Sequence, residues 1–154
     1  EDSHLGRERW SYPLLADELR RWSVKSNDDR RELFRRMVFN AMVTNKDDHL
    51  RKHDLLHSSS GRRPSPAYDI LPVPLVSVER RDLALEVGQF GRAASLYNIP
   101  SGCDAFGLAK DEARALVDAM LAVAHHGVEH RSIETLEQGV LPPSLFRDSP
   151  SDAI

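Results

Sequence analysis

Three stretches of the chain repeat apolar residues at helical spacing, and the long interval between the second and the third does not. In the first stretch Leu15, Leu19 and Trp22 recur every three or four positions, with Glu18, Arg20 and Arg21 turned elsewhere. Ser11 ahead of it can cap a helix, and Pro13 falls in the first turn, where its missing N–H costs little. The second stretch runs from about Asp28 to Val43. Leu33, Phe34, Met37, Val38, Ala41 and Met42 form one stripe, Asn27 or Asp28 caps it, and Asp28 and Asp29 favour its positive end. Its Arg30, Arg31, Arg35 and Arg36 read as a solvated face, since acids are interleaved and no aromatic platform accompanies them. The third begins near Ala109, with Ala113, Leu116, Val117, Met120 and Val123 as its stripe and Gly127 as a C-cap. Residues 131–138 predict one further helical piece.

Between these helices the pattern is short and broken. Asn45-Lys46-Asp47-Asp48-His49 is a polar cluster that no helix core requires, and it reads as a loop. His53 to His57 predicts a short strand, Ser58-Ser59-Ser60-Gly61 a turn, and four prolines between Arg63 and Leu75 exclude a regular helix there. Tyr68-Asp69-Ile70-Leu71 lies in that stretch as an extended segment. Another short strand is predicted over Leu83 to Val87, then a loop at Gly88 and Gly91, then a weak helix between Ser95 and Phe106 interrupted by Pro100 and Gly102. The fold class that results is mainly α with a small β-hairpin element.

Composition narrows the setting. A chain of 154 residues is expected to form one domain and to bury roughly 70% of its unfolded surface. Charged residues are 29% and hydrophobic residues 40% of the chain, a balance that excludes collagen-like and wholly disordered classes. There is no 18-residue apolar run, and the N-terminal EDSHLGRERW lacks the layout of a signal peptide. A net charge of −3 and a pI near 6.2 give no electrostatic case for direct nucleic-acid or membrane binding. The single cysteine, Cys103, excludes an intramolecular disulfide and suits a reducing cytoplasm; beside Gly102 and Asp104 it reads as a packing residue.

The acids concentrate where the structural signal is weakest. Asp47 and Asp48 follow the long apolar helix, and Asp69 follows the hairpin-like stretch. Phosphoryl transfer uses such a set, one carboxylate to orient a hydroxyl and others to hold magnesium. Spacing alone also accommodates turn-forming aspartates. The segment FRRMVFNAMVTNKDDHLRKHDLL followed by RPSPAYDILP, however, resembles the C-terminal lobe of HipA-like serine/threonine kinases. Members of that family read approximately N-T-D-D-H-x-K/R-N, a hairpin, then S-P-x-Y-D-I/L-L. LALEVGQFGRAASL and FGLAKDEARALVDAM look like the family's distal helices, so the likeness runs from about Arg9 to Glu137.

The resemblance implies a protein-kinase-like C-lobe over residues 1–141, with a catalytic loop at 45–53, a metal-binding segment at 65–72, distal helices at 95–138 and a polar tail at 142–154. It implies that Asp47 accepts the substrate hydroxyl proton, that Asp69 binds metal, and that Asn45, Asp48 and His49 shape the loop. Mg²⁺ and ATP are the implied cofactors. The implied partners are an N-terminal kinase lobe, a protein with Ser/Thr acceptors and an antitoxin-like DNA-binding repressor, as in a toxin–antitoxin pair. Two departures stand out. Kinases place a metal-binding asparagine five residues beyond the catalytic Asp, and position 52 is Lys52. An ammonium has no lone pair for a cation, so Lys52 either impairs metal-dependent catalysis or takes the ion's place and touches a phosphate. Taking Asp48 as catalytic instead puts His53 in that seat, a poor magnesium ligand. The chain also shows no Gly-rich loop or strand lysine ahead of Asn45. It is therefore expected to be a C-lobe without its N-lobe and inactive by itself. The competing readings are a non-catalytic interaction module or degenerate kinase remnant, and a zinc site. His49, His53 and His57 would stack on a helix, but on a strand His53 and His57 lie about 13 Å apart. His125, His126 and His130 read as structural, near a helix C-terminus.

Overall fold

The structure, a computed structural model, describes residues 10–73 and 81–137, with side chains as far as residue 124. Three helices carry it: α1 Tyr12–Trp22, α2 Ser26–Met42 and α3 Lys110–Glu137. A two-stranded antiparallel hairpin, β1 Leu55–Ser58 and β2 Gly61–Pro64, follows α2, with Leu55 opposite Pro64 and Ser58 opposite Gly61. Short 3-10 turns cover Leu50–Lys52 and Ile99–Phe106. The expected class, mainly α with a small hairpin, is the one observed.

The apolar stripe of α2 forms the centre. Leu33, Phe34, Met37, Val38 and Ala41 are all buried, and the Phe34 ring meets Phe106 edge-on with centroids 5.2 Å apart. α1 adds Tyr12, Ala16 and Leu19, and the α3 side adds Leu108, Ala113 and Val117. Leu83, Leu85 and Val87 are buried in alternation, but this stretch makes isolated bridges to residues 11 and 93 rather than a strand. Cys103 is buried in the same core, where burial pushes its thiol up. That environment suits the packing role read from the sequence.

Several local expectations give way. Ser11 caps α1 through its side chain as expected, accepting from the Leu14 N–H. Trp22, by contrast, lies half-exposed beneath the Arg62 guanidinium and donates to Glu18 at 2.9 Å. The inner face of α1 is formed by Tyr12, Ala16 and Leu19 instead. α2 starts at Ser26, two residues early, with Lys25 at the cap and no side-chain cap. Asp29 is therefore free to turn inward, where it binds Ser23 and Arg63. Three of the four arginines of α2 named above are tethers, while Arg35 stays exposed and pairs with Glu32 of the same helix. Arg30 donates to the Ala105 carbonyl, Arg31 pairs with Glu112 at 2.9 Å, and Arg36 donates to the Ser65 carbonyl at 2.9 Å. Val123 is exposed rather than part of the stripe. α3 runs straight through Gly127, so the expected C-cap and the separate piece at 131–138 are one continuous helix to Glu137. The polar tail at 142–154 lies outside the described residues. No helix among the described residues is long and apolar enough to cross a membrane.

Candidate active site

The loop that leaves α2 turns sharply. Thr44 adopts a left-handed conformation with φ of 54°, costly for a β-branched residue, and its buried hydroxyl has no hydrogen-bond partner among the described residues. The turn is held by Asn45, whose N–H donates to the Asn40 carbonyl at 2.8 Å and whose amide donates to the Asn40 side chain at 3.0 Å. The Asn45 side-chain oxygen in turn accepts from the Asp47 N–H at 3.3 Å. Asn45 thus ties the loop back to α2. His49 is half-buried, and its Nδ1 has no partner among the described residues.

Two consecutive aspartates then point to different worlds. Asp48 is buried and its Oδ2 accepts from the Tyr12 hydroxyl, from Asn40 at 2.7 Å, and stands 3.1 Å from His53 Nε2. Burial alone would raise its pKa; the bond and charge of His53, the Tyr12 bond and the Lys52 charge outweigh burial and hold the carboxyl below its usual range. Burial likewise pushes the Tyr12 phenol well above the ordinary tyrosine value, and Asp48 pushes it further. Asp47 has a side chain 56% exposed, and the hydrogen bond and charge of Lys52 hold its carboxyl low.

Asp69 reaches the same place from the far side of the hairpin. Four ties bring the 65–73 stretch back: Ser65 N–H to the Asp54 carbonyl at 2.9 Å, Arg36 to the Ser65 carbonyl, Tyr68 hydroxyl to Asp54 at 2.7 Å, and Val73 N–H to the Val43 carbonyl at 3.0 Å. Asp69 itself is not extended, as the sequence predicts, but left-handed with φ of 53°. An aspartate tolerates that conformation better than most residues, and here it accompanies a carboxylate and a carbonyl that both meet one neighbour. That neighbour is Lys52. Its Nζ lies 2.9 Å from Asp47 Oδ2, 2.8 Å from Asp69 Oδ2 and 2.8 Å from the Asp69 carbonyl oxygen. The hydrogen bond to Asp69, opposed by burial and reinforced by the bond and charge of Asp47, holds the ammonium above the usual lysine value.

The structure thus brings Asp47, Lys52 and Asp69 together and sets Asp48 apart. A magnesium ion held by Asp69 would meet the Lys52 ammonium, 2.8 Å from that carboxylate, and the ammonium offers it no lone pair. As placed, these residues do not fit the ion. Lys52 also lines a cavity of about 280 Å³ with Phe39, Asn40, Asp48, His53 and Tyr68, which neither Asp47 nor Asp69 lines. The two carboxylates therefore meet at the surface, not inside that cavity. No three His, Cys, Asp or Glu side chains among the described residues stand together as a metal site. The histidine alternative loses its helix as well: His53 is bound to Asp48, and His57 sits in β1. Sequence reasoning missed Tyr12 and Asn40. The available signal was Asn40 itself, a polar residue three positions after Met37 on the buried face of α2.

No curated protein matches the chain. A family model described as the HipA-like C-terminal domain matches residues 2–128. That span holds α1, α2, the hairpin, the larger part of α3 and every residue of the loop and segment just described, so the chain belongs to the HipA-like C-terminal domain family.

Proposed function

We propose that this chain is the catalytic-loop lobe of a HipA-like protein serine/threonine kinase, working on ATP only when joined to an N-terminal lobe. The supporting observation is the convergence of Asp47 and Asp69, 22 positions apart in sequence, on a single Lys52 ammonium. Of the two candidate bases, Asp48 is sealed in a buried network, whereas the Asp47 carboxylate is exposed and ionised. A carboxylate held this acidic is a weak base in the ground state. Its contribution is to orient the acceptor hydroxyl in line with the γ-phosphate and to take the proton as the new P–O bond forms and the bond from the γ-phosphorus to the departing ADP oxygen breaks. Asn45 fixes the loop backbone at Asp47, and the ties on Ser65, Tyr68 and Val73 fix Asp69 opposite it. Magnesium supplies charge neutralisation at the phosphates in such chemistry. With Lys52 where it stands, the joined wild-type protein is expected to be slow. The proposal extends to a cytoplasmic setting, a protein acceptor and an antitoxin-like repressor as partner.

The contact of Lys52 with both carboxylates supports a second reading, a non-catalytic interaction module that keeps the kinase fold. One experiment separates the two. The chain is joined to the N-terminal lobe of a HipA-like kinase, and transfer of the γ-phosphate to protein serine or threonine is followed. Transfer that needs both parts and disappears in Asp47→Ala supports the kinase lobe. Absence of transfer, together with no rise in melting temperature on adding Mg-ATP to the joined protein, selects the interaction module.

A further inference from the structure

The three contacts of Lys52 account for every N–H the ammonium has. The oxygens around it are two carboxylates and a backbone carbonyl, hard donors of the kind that hold magnesium or manganese. The lysine side chain is 4% exposed, while the two carboxylates are 56% and 54% exposed and keep faces open to water and further ligands. Two carboxylates and one ammonium leave this cluster with one negative charge. A divalent ion arriving there meets the ammonium's positive charge and finds its position filled.

We propose that the Lys52 ammonium is the resident cation of the Asp47–Asp69 pair, and that exchanging it for an amide converts the pair into a divalent-cation site. The inference rests on the reading of Asp47 and Asp69 as the functional pair of this lobe. Asparagine at position 52 removes the competing charge, vacates the place of Nζ and adds an amide oxygen to the donor set. At contact distances, even in water, removing one positive charge from beside a doubly charged ion is worth on the order of a 30-fold gain in affinity.

The test uses Mn²⁺ as the probe, titrated into the 154-residue chain at low salt, with free Mn²⁺ read by its electron paramagnetic resonance signal and folding checked by circular dichroism. The wild-type chain is expected to leave Mn²⁺ free at millimolar concentrations. Lys52→Asn is expected to bind one ion at least about tenfold more tightly, and the gain is expected to vanish in Lys52→Asn combined with Asp69→Asn. Wild-type binding as tight as that of Lys52→Asn overturns the resident-cation proposal and leaves the kinase reading standing. A folded Lys52→Asn that gains no affinity overturns both the proposal and the assignment of Asp69 to a metal seat. If Lys52→Asn does not fold, Lys52→Gln takes its place. Selective Mn²⁺ broadening of the Asp47 and Asp69 amide signals in the wild-type NMR spectrum, at sub-millimolar Mn²⁺, overturns the proposal without any variant.

Discussion

Asp47 and Asp48 are neighbours in the chain and opposites in the structure. Asp48, 6% exposed, is where helix α1, helix α2 and the loop are fastened together, through Tyr12, Asn40 and His53. Asp47 fastens nothing in the core; its sole side-chain partner among the described hydrogen bonds is Lys52. The buried carboxylate spends its lone pairs on the fold, and the exposed one keeps its remaining lone pairs for whatever approaches. A polar network is needed inside so that a loop with one sharply strained residue, Thr44, can still present Asp47 in one place.

The largest effect is expected from deleting the inner carboxylate. Asp48→Ala removes the one carboxylate that Tyr12, Asn40 and His53 share, leaves the buried Tyr12 hydroxyl without its acceptor, and is expected to cost about 3–4 kcal/mol in denaturant unfolding. Asp47→Ala is expected to leave the unfolding midpoint nearly where it was. Equal losses in the two variants would break the contrast between them. A smaller effect is expected from Tyr12→Phe, which keeps the ring against His53 but removes one donor to Asp48. A loss of about 1 kcal/mol is expected in the same measurement, and no loss would show that Asn40 and His53 alone anchor the loop. The smallest effect is in the acid limb. Because the folded state holds Asp48 below the usual carboxylate range, its stabilisation is complete above about pH 4 and is lost as the pH falls through the lowered value. Asp48→Asn is therefore expected to flatten the fall of stability below about pH 4 by less than one proton's worth. An unchanged slope, read from melting temperature against pH, would assign that limb to Asp29 and the other paired acids instead.

What the sequence made legible follows the range of the forces involved. The stripe of α2, the cap at Ser11, the hairpin turn and the break at Gly102 are local, and periodicity or turn chemistry exposes them. The nearness of Asp47 and Asp69 was legible through the paired motifs of the family likeness, not through spacing. The division of labour within Asp47-Asp48 was not legible, because two identical side chains in one loop differ in which way the backbone turns. That turn depends on Thr44, Asn45 and a tyrosine 36 positions away. Trp22 and Val123 satisfy the helical repeat yet face outward, since the repeat defines a stripe and neighbouring elements decide how far along it burial extends. The pairing of Arg63 with buried Asp29 spans 34 positions and leaves no mark in either local stretch.

Every residue of β1 is exposed, while β2 is tied to the body at Arg62 and Arg63, and further ties follow at Ser65, Tyr68 and Val73. The spacing of Asp47 and Asp69 is thus decoupled from whatever occupies the tip at Ser59 and Ser60. The tip becomes a natural place to lengthen, label or cut the polypeptide while the carboxylate pair stays in register.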